Sequence, residues 1–151
     1  MILIERVGLD VTPDALAGKE RDALVLTWGE RRWGRRRAVT RGGREVALAL
    51  PTGSVMAPGS VLAVESEWYL VVEPASEPVL AVMPRTQTQA IRVAFEVGNR
   101  HFSLAIASGS PLVLLVPDDP AMEQLLSRLD MPWERRVSVF EPVGGGGHRH
   151  A

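Results

Sequence analysis

Between Glu73 and Pro78 the rhythm of the apolar residues changes, and this change restricts the chain to two differently built halves. Upstream, apolar residues come in short runs: Asp22–Trp28, Arg44–Pro51, Ser60–Ser66 and Trp68–Pro74 are rich in Val, Leu and aromatics. Turn signals separate them, "RGGR" at Arg41–Arg44, "PTGS" at Pro51–Ser54 and "APGS" at Ala57–Ser60. Short strands at such regular spacing predict a small all-β sandwich or open barrel over residues 1–74. No amphipathic helix is expected in this half. The polar, proline-bearing stretch Glu73–Pro78 is expected to act as a hinge.

Beyond Pro78, strand and helix periods alternate. Pro78–Pro84 reads as a strand, and Thr86–Gly98 as a helix with Ala90, Ala94 and Val97 on one face and Ile91 and Phe95 beside it. Thr86 or Thr88 can cap its start, and Gly98, next to Asn99, is a natural left-handed stop. In "HFSLAIA" the alternation predicts Phe102, Leu104 and Ile106 on one strand face and His101, Ser103 and Ala105 on the other. Leu112–Val116 is a further apolar strand. Asp119 followed by Pro120 marks a second helix, whose Met122, Leu125, Leu126 and Leu129 form one core-facing stripe. The run "RRVSVFEP" supplies a last strand. The order β-α-β-β-α-β over residues 78–142 is the ferredoxin-like arrangement, so the fold class is α+β. Residues 143–151 are expected to form a flexible Gly/His tail.

Composition narrows the chemistry. A net charge of −1 creates no global field toward nucleic acid or acidic lipid. Cysteine is absent, which excludes disulfides and every thiolate-held metal. Charge at Glu5 and Arg6 interrupts any signal-peptide core, and no apolar run nears the ~18 residues of a membrane span. A cytoplasmic protein is expected. The carboxylate pairs Glu65/Glu67 and Asp118/Asp119 lie at a strand end and a helix cap. With no Ser–His–acid set, phosphate-cradling loop or HExxH motif, the chain does not read as an enzyme.

Three stretches remain. "ERRWGRRR", Glu30–Arg37, gathers five arginines and a tryptophan just after Trp28. Such a patch can bind RNA, through phosphate contacts and stacking, or an acidic partner. It can equally be a solvated hairpin whose charged edge blocks unwanted pairing, which the near-zero net charge favours. Exposed strand edges also leave room for a peptide-binding role. In "GNRHF", His101 lies past a helix end beside small residues. One imidazole makes no metal site, but a twofold dimer with His101 near its axis supplies two. Last, His148 and His150 end a glycine-rich stretch and resemble a short metal-binding tract, although composition alone fits a frayed end. From Pro142 to His148 the extended chain spans roughly 20 Å.

These stretches together resemble the UreE family of urease accessory proteins, which are nickel metallochaperones. Thr27–Gly53, with its arginine-rich strand and "LP-x-G" turn, is similar to that family's N-terminal domain. "GNRH" at Gly98–His101 matches its most characteristic motif, and "FEP" at Phe140–Pro142 its C-terminal border. The resemblance implies a homodimer in which His101 of each protomer binds Ni(II) as cargo, with His148 and His150 completing the shell. Zn(II) or Cu(II) would suit the same imidazoles. It implies partners as well: the urease apoprotein and its accessory proteins, including the maturation GTPase, met through the N-terminal domain. The chain departs from the family where some members carry an extra histidine pair, since Ser108–Pro117 has none, and where Gly59–Leu62 reads "GSVL".

Overall fold

A computed structural model describes residues 1–107 and 109–144. Its elements are, in chain order, β1 (Ile2–Ile4), α1 (Pro13–Leu16), β2 (Glu20–Leu26), a 3-10 turn at Glu30–Arg32, β3 (Arg35–Val39), β4 (Glu45–Ala49), β5 (Val61–Val64) and β6 (Trp68–Pro74). Then come β7 (Ser76–Val82), α2 (Gln87–Asn99), β8 (Ala105–Ala107), β9 (Val113–Pro117), α3 (Pro120–Arg128) and β10 (Trp133–Val139). The chain divides into two compact units, Met1–Ala75 and a second beginning at Ser76. Strand pairing occupies most of the expected hinge: β6 runs through Pro74 and β7 begins at Ser76, leaving Ala75 between them. No helix among the described residues is long and apolar enough to cross a membrane.

The first unit holds two three-stranded sheets, β1-β4-β3 and β2-β6-β5. Each combines one parallel pair, β1 with β4 or β2 with β6, and one antiparallel pair. Alternate residues turn inward, so Leu24 and Leu26 of β2, Val46 and Leu48 of β4, and Leu70 and Val72 of β6 join a single core with Ile4, Met56 and Leu62. Burying each such side chain stabilises the unit by about 1.5–3 kcal/mol. Because one core draws on both sheets, the expected sandwich is realised. The unit's one helix, the single turn α1, buries no residue, in keeping with the absence of an amphipathic pattern in this half.

A buried carboxylate ties the sheets together. Asp22 lies on the same face of β2 as Leu24 and Leu26 and is 4% exposed. It accepts hydrogen bonds from Thr40 Oγ1 at 2.5 Å, Arg44 Nη1 at 2.9 Å, and the Gly42 and Ala23 amides at 2.8 Å. Burial alone would raise its pKa, but these donors hold it at about 2. Gly42 is required here, because a Cβ would stand 2.9 Å from Asp22 Oδ2. The predicted "RGGR" turn is thus clasped to β2. On the same strand, Arg21 joins Arg41 in gripping Glu73, whose pKa the two guanidiniums also bring to about 2.

The second unit is a four-stranded antiparallel sheet in the order β10-β7-β9-β8, the strand order of a ferredoxin-like fold. Leu80, Val82, Leu114 and Val116 of the sheet pack with Val93 and Val97 of α2 and Met122, Leu125 and Leu126 of α3. Asp119 caps α3 through the Ala121 amide at 2.8 Å with Pro120 at the first position, as its sequence predicts. Thr86 caps α2 through the Gln89 amide at 3.1 Å, and the Gln89 side chain reaches back to the Arg85 amide at 2.7 Å.

Two expectations for this unit are corrected. The buried face of α2 is Ala90, Val93 and Val97, whereas Ala94 is exposed and Ile91 and Phe95 are 63% and 65% exposed. Strand alternation also fails after α2. β8 is only Ala105–Ala107, Phe102 and Leu104 pack against the helical core from irregular backbone, and Ile106 faces outward.

Candidate functional site

The sequence placed a left-handed stop at Gly98. The structure moves it three residues on. Helix α2 continues through Asn99 with Arg100 as its C-cap, and His101 takes the left-handed conformation, φ 61°. The His101 amide donates to the Gly98 carbonyl at 3.0 Å and the Phe102 amide to the Val97 carbonyl at 3.2 Å. This pair of bonds is a Schellman motif, which normally selects glycine at the position His101 fills. Register explains the choice. The motif is completed by an apolar residue just after the left-handed one, and Phe102 meets that need by packing on the core that contains Val97. Helix α3 ends in the same way, with Asp130 at φ 53° and the Met131 amide bonded to Leu126 at 3.0 Å.

His101 is therefore not on a strand face, as alternation suggested, but on a fixed corner between helix and sheet. It is exposed, and its ring makes no hydrogen bond or ion pair with any described residue. Imidazole nitrogen is a suitable donor for Ni(II), Zn(II) and Cu(II). The C-terminal end of a helix carries partial negative charge, which favours a cation nearby. Glu96, on the last turn of α2, is no second ligand: Arg100 at 2.7 Å and Arg92 at 3.1 Å engage its carboxylate and lower its pKa. Among the described residues no group of three or more His, Asp or Glu gathers to hold a metal.

Two features surround this corner. The first was misread in sequence: Ile91, Ala94, Phe95 and Gly98 follow i, i+3, i+4 and i+7 spacing and form an exposed stripe that runs along α2 toward His101. The second is the course of the chain after β10. It passes from that edge of the sheet to the other, where the Val143 amide donates to the Leu104 carbonyl at 2.9 Å. The chain leading to the predicted tail ligands thus begins three residues, in sequence terms, from the His101 corner. His148 and His150 themselves lie outside the described residues.

The arginine-rich stretch is not the five-member patch its sequence suggested. Arg31 is buried, 1% exposed, with its guanidinium 5.4 Å from the Trp28 ring centre. Arg36 pairs with Glu30 at 3.4 Å and lies over Trp33 at 4.9 Å. The pKa of Glu30 is lowered, chiefly by the Thr27 amide. Arg32, Arg35 and Arg37 remain on the surface.

Comparison with known proteins covers both units. The model of the UreE urease accessory protein N-terminal domain matches residues 4–75, and that of the C-terminal domain matches residues 77–151. A urease accessory protein UreE from Ralstonia nicotianae is 38% identical over 130 residues, 84% of this chain and 60% of that protein. Its counterpart from Deinococcus radiodurans is 36% identical over 138 residues, 91% of this chain and 87% of that protein. One from Burkholderia mallei is 34% identical over 149 residues, 97% and 72% respectively. The chain spans less than two thirds of the length of the relative from Ralstonia nicotianae, at 60%, and of a urease accessory protein UreE from Cupriavidus pinatubonensis, at 58%.

Proposed function

Because this chain belongs to the UreE family of urease accessory proteins, we propose that it is a cytoplasmic nickel metallochaperone, an accessory protein rather than an enzyme. It binds Ni(II) as cargo and hands it on during urease metallocentre assembly. Its partners in that handover are the urease apoprotein and the accessory proteins, among them the maturation GTPase.

The observation that carries this reading is the exposed stripe of Ile91 and Phe95 leading to a bracketed, unpartnered His101. A twofold axis beside that corner buries both stripes against each other and brings the two His101 imidazoles together, because an isologous interface juxtaposes the same residue twice. Two imidazoles leave the coordination shell open. Histidines His148 and His150 lie five and seven residues beyond Val143, a reach of roughly 17–24 Å at ~3.4 Å per residue. They are the ligands proposed to close it.

The division of labour suits a carrier. His101 supplies the indispensable pair, and the tail ligands leave first when a receiving site competes. Imidazole ligates only when deprotonated, so mild acid expels the metal. Zn(II) and Cu(II) compete for the same donors, since imidazole alone selects weakly among these ions.

Calorimetric titration of the full chain with Ni(II) tests the proposal. About one tight Ni(II) per dimer is expected. His101→Ala should abolish tight binding, whereas deletion of Gly144–Ala151 should weaken it without removing it. Undiminished tight binding by the His101→Ala protein would refute the site.

A further inference from the structure

We propose that the free edge of β3 binds an extended acidic segment of a partner protein, which joins the sheet as an added strand. This site shares no residue with the metal site at His101, so either reading can fail without the other.

The backbone supplies the first half of the recognition. Strand β3 ends its sheet, paired only with β4. The Gly34 carbonyl accepts from the Leu50 amide at 2.9 Å, and the Thr40 amide donates to the Arg44 carbonyl at 2.8 Å. Residues of that parity, Arg36 and Ala38 included, turn their peptide groups toward β4. Arg35, Arg37 and Val39 therefore turn theirs outward, as an unused ladder.

Side chains supply the second half. Arg35, Arg37 and Val39 are exposed on one face of the strand, while Ala38 on the other packs against the core. Two residues along a strand is about 6.8 Å, the same repeat that alternate side chains of an added strand present. Acidic residues at alternate positions of that strand would each face a guanidinium. Neither Arg35 nor Arg37 makes an ion pair or hydrogen bond with a described residue, whereas the Arg36 between them is taken by Glu30.

Charge selects the occupant. A second copy of β3 would set arginine against arginine, which is unfavourable across a ladder. RNA would gain from the arginines but has no backbone to match a strand edge. It also needs a series of stacking rings, and among the described residues Trp33, 59% exposed, is the one tryptophan open to solvent.

The test uses the full chain and a fluorescent, end-blocked peptide of about eight alternating Glu and Val residues. Fluorescence anisotropy should show binding that weakens as salt rises. Combining Arg35→Ser with Arg37→Ser should weaken it about tenfold, and methylating alternate peptide amides should weaken it too. Both arginines are exposed and unbonded, so circular dichroism should be unchanged in the double variant. Replacing both with Glu should transfer the preference to an alternating Lys–Val peptide. Four results would overturn the proposal. They are no binding of the acidic peptide, binding indifferent to the serine changes, equal binding of the methylated peptide, or displacement of the peptide by a tighter-binding poly-uridylate.

Discussion

The amide of Phe102 reaches back over His101 to the carbonyl of Val97, 3.2 Å away, and so fixes a metal-ligand type of residue at the one backbone position of the helix end that glycine would ordinarily fill. The left-handed conformation costs a side chain with a Cβ about 1–2 kcal/mol. The ring is retained there at the expense of stability, as is common where a site needs a fixed direction.

That cost makes a prediction independent of metal. His101→Gly relieves the strain and His101→Ala keeps it, so the glycine variant should be more stable by about 1 kcal/mol. Chemical denaturation of the two metal-free variants measures the difference. An alanine variant more stable than the glycine variant would mean that residue 101 is not left-handed.

The α2 stripe predicts assembly. Ile91→Glu combined with Phe95→Arg alters only exposed positions, so the fold should persist while the proposed dimer separates. Sedimentation equilibrium should show monomers, and nickel titration should show tight binding lost although His101 is intact. A dimer that survives both changes would place the interface elsewhere.

Acid should loosen the first unit. Asp22 and Glu73 are held at about 2, below ordinary values of 3.8 and 4.5. Both carboxyls are depressed in the folded state, so their contribution is complete above pH 4.5 and is lost as pH falls toward about 2. Asp22→Asn should cost about 1–3 kcal/mol at neutral pH, because the neutral amide cannot accept from all the donors now gathered on the buried carboxylate. It should also flatten the acid limb of a stability–pH curve measured by urea unfolding.

Cap removal gives a local comparison. Thr86→Ala should destabilise the second unit by about 1 kcal/mol, and Asp119→Ala by a similar amount. Hydrogen exchange of the α2 and α3 amides would measure both. The Thr86 variant should leave the proposed nickel binding in place, since His101 lies past the far end of α2.

What could be read in the sequence was what is local. The α3 stripe of Met122, Leu125 and Leu126 and its Asp119–Pro120 start need only the helical period and one cap. The β-α-β-β-α-β order followed from similar signals. On α2, by contrast, two apolar stripes compete, Ala90–Val93–Val97 and Ile91–Phe95, and period alone does not say which one the chain buries in itself. The shift of the stop from Gly98 to His101 depended on where Phe102 meets the core, a tertiary requirement. Likewise, the parallel pairing of β2 with β6 and the Asp22 clasp join residues 18 to 48 positions apart, with no local mark. As to the site, His101 stood out through its motif, its backbone geometry did not, and His148 and His150 lie outside the described residues.

The bracket around His101 bears on how a carrier can be both tight and quick. A ligand in an unordered loop must surrender backbone entropy each time metal arrives and regain it each time metal leaves. Here that ordering is complete once the helix has formed, and only the side-chain torsions remain to be restricted. At the proposed metal site, loading and unloading would therefore proceed as ligand exchange on a standing scaffold, at rates set by the ion rather than by refolding of the chain.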